Sequence, residues 1–306
     1  MIRLLFLAAF ALLATPACAQ RLNATPRTVV MTAFPPEWDA LVPAIKSQKA
    51  YHINGLVFLT GTMAGKPVVL MQSAVSMVNA AMNTQLVLDR FNVRRIVFSG
   101  IAGGVDPALA IGDVIVPEQW GQYLEVSFAR GTPGNWVTPE PVDAIAPANN
   151  GMMFPRGVRV GNAAEPARRH YTLAADPALV ALARKVAAGV ALRRCIGPDA
   201  SRQAKGCLAH EPKIVVGGTG VSAGVFADNA EFRDYLSKAW NARVLDMESA
   251  AVTQVAFANR VPVIVFRSLS DLAGGDAGAN QMNTFMTLAS VNSATVVKAF
   301  VAALPK

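Results

Sequence analysis

Residues 243–271 read RVLDMESAAVTQVAFANRVPVIVFRSLSD, and the alternation within them decides the fold class. Arg243–Asp246 is a short apolar run of strand type, and Pro262–Arg267 is a second one, rich in β-branched residues. Between them Ser249–Asn259 is alanine-rich and has the spacing of a helix. Strand, helix and strand in quick succession argue for a sheet with helices packed on it.

The same rhythm extends outward. Further strands are expected at Thr28–Ala33, Val68–Gln72, Arg95–Ser99, Asp113–Val116 and Lys213–Val216. Helices are expected at Met77–Phe91, Pro177–Ala188, Asn229–Trp240 and Asn283–Ala303, the last an amphipathic surface helix because Asn292, Ser293 and Lys298 interrupt it. The expected architecture is a three-layer α/β/α sandwich around a central mixed, largely parallel sheet. From about residue 123 to 211 prolines, glycines, the Asn149-Asn150-Gly151 turn signal and two cysteines break the pattern. That region reads as a loop insertion carrying one helix, within a single domain spanning 20–306.

Ligands of open α/β sheets bind beyond the carboxyl ends of strands. Those ends give Phe34-Pro35-Pro36-Glu37, Gly100-Ile101-Ala102-Gly103-Gly104, Gly217-Gly218-Thr219-Gly220, Met247-Glu248-Ser249 and Ser268-Leu269-Ser270-Asp271. Two glycine-rich turns and three carboxylates would meet at one rim. Each has a plainer reading. The glycines could serve tight strand exits. Glu37, Asp246 and Glu248 could be acids at helix starts, favoured by the dipole. Asp271 could be a turn former. Arg267 ends an apolar strand, where a charge needs a partner.

The chain has 306 residues, 53% hydrophobic and 16% charged, with a formal net charge of +8. The first nineteen residues carry Arg3, an apolar run from Leu4 to Leu13 and Ala17-Cys18-Ala19. These are the parts of a secretory signal peptide cleaved after Ala19, and the run is too short to span a bilayer. The mature chain is therefore expected to be soluble and periplasmic or secreted, with no membrane association. Export leaves Cys195 and Cys207, a pair suited to a disulfide in an oxidising compartment. Only His210 lies near them, so a metal site is not expected. Basic residues are scattered without interleaved aromatics, which argues against a nucleic-acid surface.

Ser99-Gly100-Ile101-Ala102-Gly103-Gly104, Ile111-Gly112-Asp113-Val114, the block Val244–Ala251 and the block Val263–Asp271 together resemble the nucleoside phosphorylase/nucleosidase superfamily. Val78-Asn79-Ala80-Ala81 fits as well. The pattern is most similar to methylthioadenosine/S-adenosylhomocysteine nucleosidases and to the exported branch that includes bark storage proteins, which share the Ser270–Gly275 ending. The resemblance implies hydrolysis of a purine nucleoside of adenosine, inosine or methylthioadenosine type. It implies that Glu248 accepts bonds from the ribose hydroxyls, that Met247 packs under the sugar, and that Asp271, steadied by Ser270, protonates the purine. Glu37 would activate the attacking water, with Arg267 orienting it. Ile101, Ala102, Gly103 and the Gly218–Ser222 loop would line sugar and base, with Val221 at the stacking position and Phe226 as its substitute.

Ile101 stands where the family carries Ser or Thr, and no basic residue occupies the first loop. Both departures favour water over phosphate as nucleophile. A phosphate-dependent phosphorylase and a non-catalytic nucleoside-binding or storage protein are the two other readings of the same residues. The resemblance implies a homodimer, a small-molecule nucleoside as ligand, and no metal or organic cofactor.

Overall fold

The computed structural model describes residues 21–197 and 206–305; the expected leader and its cleavage point lie outside the described residues. The first half runs β1 (Asn23–Thr32), α1 (Pro35–Leu41), β2 (Lys46–Ile53), β3 (Leu56–Met63), β4 (Lys66–Gln72), α2 (Met77–Arg90), β5 (Phe91–Gly104), β6 (Val114–Val116) and β7 (Gln119–Gln122). Three antiparallel ribbons follow, pairing β8 (Val126–Phe128) with β11 (Met153–Pro155), β9 (Arg130–Thr132) with β10 (Asn135–Val137), and β12 (Val158–Asn162) with β13 (Glu165–His170). The chain returns through β14 (Leu173–Ala174), α3 (Pro177–Ala187), β15 (Ile214–Val216) and β16 (Thr219–Ser222). It ends in α4 (Ala230–Trp240), β17 (Ala242–Asp246), α5 (Ser249–Ala258), β18 (Val263–Asp271) and α6 (Met282–Ala303).

Twelve strands form one mixed sheet, with β18 and β1 parallel to β5 at its centre. Side chains alternate across it with the period of two that a strand imposes. Val29, Met31, Ile96, Phe98, Val263 and Val265 face one core, shared with Ala80 and Val87 of α2 and Val252 of α5. Val30, Val97, Ile264 and Phe266 face the other, shared with Leu41 of α1, Val180 of α3 and Phe300 of α6. Strands covered on both sides explain the unbroken apolar runs in the sequence. The expected three-layer sandwich is the observed fold.

Several expectations need correcting. The 123–211 region is not mainly loop: its one helix is accompanied by the three ribbons, and β14 joins the main sheet through β7. Its strands are two to six residues long and half exposed, too short for hydrophobic alternation to register. The β2–β3 hairpin was not expected either; β2 is almost wholly exposed and reads as polar. Helix α6 is not a surface helix. Asn292 and Ser293 are buried and satisfy backbone groups: Asn292 donates to Gly112 O and Arg193 O, and Ser293 Oγ accepts from the Gly100 N–H. Polar residues that looked like a wet face plug the seam between α6 and the sheet.

Of the two glycine-rich segments expected to be turns, only the second bends the chain. β5 runs through Gly100–Gly104 as strand. Gly217 and Gly218, at φ +125° and +81°, bend the chain from β15 into β16, which continues as strand to Ser222. β18 likewise continues past Arg267 to Asp271.

Candidate active site

Four segments converge on a cavity of about 250 Å³. The end of β1 leads to Ala33, Phe34 and, within the first turn of α1, Glu37; β5 supplies Ile101, Ala102 and Gly103; β18 supplies Ser270 and Asp271. The fourth segment arrives from the opposite direction. β17 is antiparallel to β5, Val244 facing Gly104 and Leu245 facing Gly103, which brings Asp246, Met247 and Glu248 back beside the β5 glycines. Phe226 and Met282 close the apolar side of the cavity with Val75, Val225 and Ala227.

Behind the cavity Arg267 is fully buried and does not line it. Its guanidinium lies 2.6 Å from Asp246, 3.4 Å from Glu248 and 3.8 Å from Glu37, and its face covers the Phe98 ring at 4.2 Å. Nη2 also donates to Ser249 Oγ at 2.8 Å. Asp246 has the most partners: besides Arg267, it accepts from Ser222 Oγ, Ser249 Oγ and the backbone N–H groups of Glu248 and Ser249. Those two N–H groups open α5, where a carboxylate is favoured by the free donors and the dipole.

Glu37 is held at both oxygens, Oε2 accepting from the Ala33 N–H at 2.6 Å and Oε1 from the Ile101 N–H at 2.8 Å. The backbone of Ile101 thus provides an anchor that needs no hydroxyl side chain at that position. Burial pushes the Glu37 carboxyl above its usual range, against the pull of Arg267 and of the two N–H bonds. Glu248 accepts from the Ser76 N–H at 2.9 Å. Burial raises its pKa to about 7, opposed by Arg267 and assisted by Asp246. One cation among three buried carboxylates leaves an excess of negative charge, so a proton held there is favoured. Asp271 is pushed up by burial too, although the Ala273 N–H and Ser270 Oγ bond to it at 2.9 and 2.8 Å.

Of the residues marked in the sequence, Glu37, Ile101, Ala102, Gly103, Phe226, Met247, Glu248, Ser270 and Asp271 come together at the cavity. Val221 and Ser222 do not. Val221 is fully buried in β16, packed in the core beside Leu245 and Trp240, and Ser222 is spent on Asp246. The wall begins three residues later, where the chain leaves the sheet. Cys195 and Cys207 form a disulfide bridge away from the cavity. Val75 and Ser76 were missed, yet they follow the end of the expected strand Val68–Gln72, so the strand-end rule could have found them. Met282 carried no comparable signal.

A family model described as the phosphorylase superfamily matches residues 27–302. The 5'-methylthioadenosine/S-adenosylhomocysteine nucleosidase of Mycobacterium bovis is 26% identical over 273 residues, covering 88% of this chain and 94% of that protein. The enzyme of the same name from Bacillus thuringiensis is 27% identical over 272 residues, covering 89% and 96%. Among solved structures, futalosine hydrolase of Helicobacter pylori superposes with a TM-score of 0.66 at 22% identity, covering 91% of this chain and 98% of that one. The Neisseria meningitidis 5'-methylthioadenosine/S-adenosylhomocysteine nucleosidase in complex with methylthio-immucillin-A gives the same score at 21% identity, covering 91% and 99%. The structural likeness speaks for the fold, and the family model, spanning nearly the whole described chain, settles the kinship: this protein belongs to the phosphorylase superfamily.

Proposed function

We propose that this chain is an exported nucleosidase that hydrolyses the N-glycosidic bond of a purine nucleoside. The charge of the cavity carries the choice of water over phosphate. Among the described residues Glu37, Asp246, Glu248 and Asp271 line it, and no Lys, Arg or His does. Arg267, behind the cavity, is committed to three carboxylates, and Arg233, near the Asp271 turn, donates to Gly104 O. A phosphate anion would shed its hydration beside acids with no free cation to receive it, whereas water meets no such penalty.

Glu248, fixed by the Ser76 N–H and Arg267, accepts hydrogen bonds from the two ribose hydroxyls. Met247 packs beneath the sugar and Phe226 against the base. Glu37 takes a proton from water as the oxygen bonds C1′. The glycosidic electron pair leaves with the base, and Asp271 protonates the base nitrogen, so that free base and free sugar result. A proton must then pass from Glu37 to Asp271 through solvent to restore the enzyme. The upward displacement of both carboxyls suits acid–base work near neutral pH.

The leader sequence supports export, as does the disulfide. Exposed Val78 and Met82, one turn apart on α2, and the exposed cavity-lining Val75 just before that helix support a homodimer. The test is to incubate the mature protein with adenosine, inosine and methylthioadenosine, with and without phosphate, and to follow free base. Release without phosphate is expected; strict dependence on phosphate, with a sugar 1-phosphate product, sinks the proposal.

A further inference from the structure

Asn280 joins the acid to the wall of the cavity. Beyond Asp271 the chain turns sharply, Ala273 and Gly274 taking φ +53° and +93°, and the Leu272 N–H is held by the Asp276 carboxylate at 3.1 Å. From the far side of this turn Asn280 Nδ2 donates to Asp271 Oδ1 at 3.4 Å and to Asp228 Oδ1 at 3.0 Å. The Asn280 side-chain oxygen accepts from the Met282 N–H at 2.9 Å. Met282 and Ala227, the neighbour of Asp228, both line the cavity. One amide therefore spans the acid, the base-side loop and the start of α6.

The two oxygens of Asp271 are not equivalent. Oδ1 accepts from the Ala273 N–H as well as from Asn280, which uses both of its lone pairs. Oδ2 accepts only from Ser270 Oγ and retains a lone pair. We propose that Asn280 is a positioning residue for base protonation: it saturates Oδ1, places the transferable proton on Oδ2, and stabilises the carboxylate left when that proton departs. This rests on the reading of Asp271 as the acid.

The charged groups around Asp271 are Asp276 on its own turn, Asp228 on the base-side loop, Arg233 of α4, which packs on Gly275 and donates to Gly104 O, and Glu248 in the same cavity. All are unchanged in the variants below, so a shift in the profile reports the amide.

The experiment compares pH profiles of kcat and KM for the mature enzyme, Asn280→Leu, Asn280→Gln and Asp271→Asn. A lost donor to a carboxylate raises its pKa, so in Asn280→Leu the alkaline limb of kcat should move up by about 0.5 to 1 pH unit. Its plateau kcat should fall about tenfold with KM within about twofold, and Asn280→Gln should recover part of both. An unmoved limb, or a KM change without a kcat change, overturns the proposal. If Asp271→Asn still releases base, the acid reading fails and this inference with it. If Asp271→Asn is inert while the Asn280→Leu profile matches the parent, this inference alone fails.

Discussion

The guanidinium of Arg267 occupies the space in which a side chain at Gly100 would begin: a β-carbon there would lie 1.8 Å from Nη1 and 2.7 Å from Glu37 Oε1. Gly100 is required by close approach, not by backbone angle, since it sits in extended strand β5. Gly100→Ala should therefore drive apart two fully enclosed groups. The expected loss is about 3 kcal/mol, at the upper end for overpacking, with base release near background. Urea denaturation measures the first; a variant as stable as the parent would contradict the packing described.

Arg267→Met keeps much of the volume and removes the charge. Three buried carboxylates then face one another uncompensated, which should cost about 3–5 kcal/mol at pH 8. Protonation relieves that repulsion, so the gap between variant and parent should narrow at pH 5. Denaturation curves at the two pH values check this, and a gap that stays constant would place the repulsion elsewhere.

Glu248 gives the parent protein an unusual pH trend. Its carboxyl titrates near 7 in the folded chain and lower when unfolded, so between about pH 4.5 and 7 the folded state binds more protons. Stability from this group is fully present below the unfolded pKa and is lost as pH rises through about 7. Glu248→Gln should remove a change in stability of about 3 kcal/mol across that window. If the variant and the parent keep parallel slopes, burial has not displaced Glu248 as described.

The fold was legible because β1, β5 and β18 are buried on both faces and carry unbroken apolar runs. The acids at their ends were legible by the same token, since a strand end is a local feature. What sequence could not give was the set of partners. Arg267 meets Glu37 and Asp246 across the sheet, and Asp246, read as one of three helix-start acids, turned out to be the anchor of the whole cluster. Ser293 and Asn292 misled for a related reason: a polar residue on a helix reads as wet unless the backbone group it satisfies is known.

The Cys195–Cys207 bridge, twelve residues apart in sequence, should contribute through the unfolded state by about 3 kcal/mol. A double Cys→Ser variant is expected to unfold at lower urea and to retain its kcat, because neither cysteine lines the cavity. Loss of kcat in folded protein would link the bridge to the site.

Phe226 and Val221 provide the sharpest contrast between sequence position and spatial position. Val221 stands in sequence where the family places a stacking aromatic, but it is fully buried between Leu245 and Gly121 in the sheet. Phe226 lines the cavity and is 53% exposed, so an aromatic base can cover its ring without displacing core. Stacking of a base on an aromatic ring is worth about 1–3 kcal/mol. Phe226→Ala should raise KM roughly tenfold or more at little cost in stability, and Phe226→Trp should restore it. Val221→Ala should do the reverse, lowering stability through a core cavity while leaving KM near the parent value. Initial rates and urea midpoints for the three variants decide the matter. A KM effect at Val221 without one at Phe226 would mean that the base enters against β16 and not against the loop beyond it.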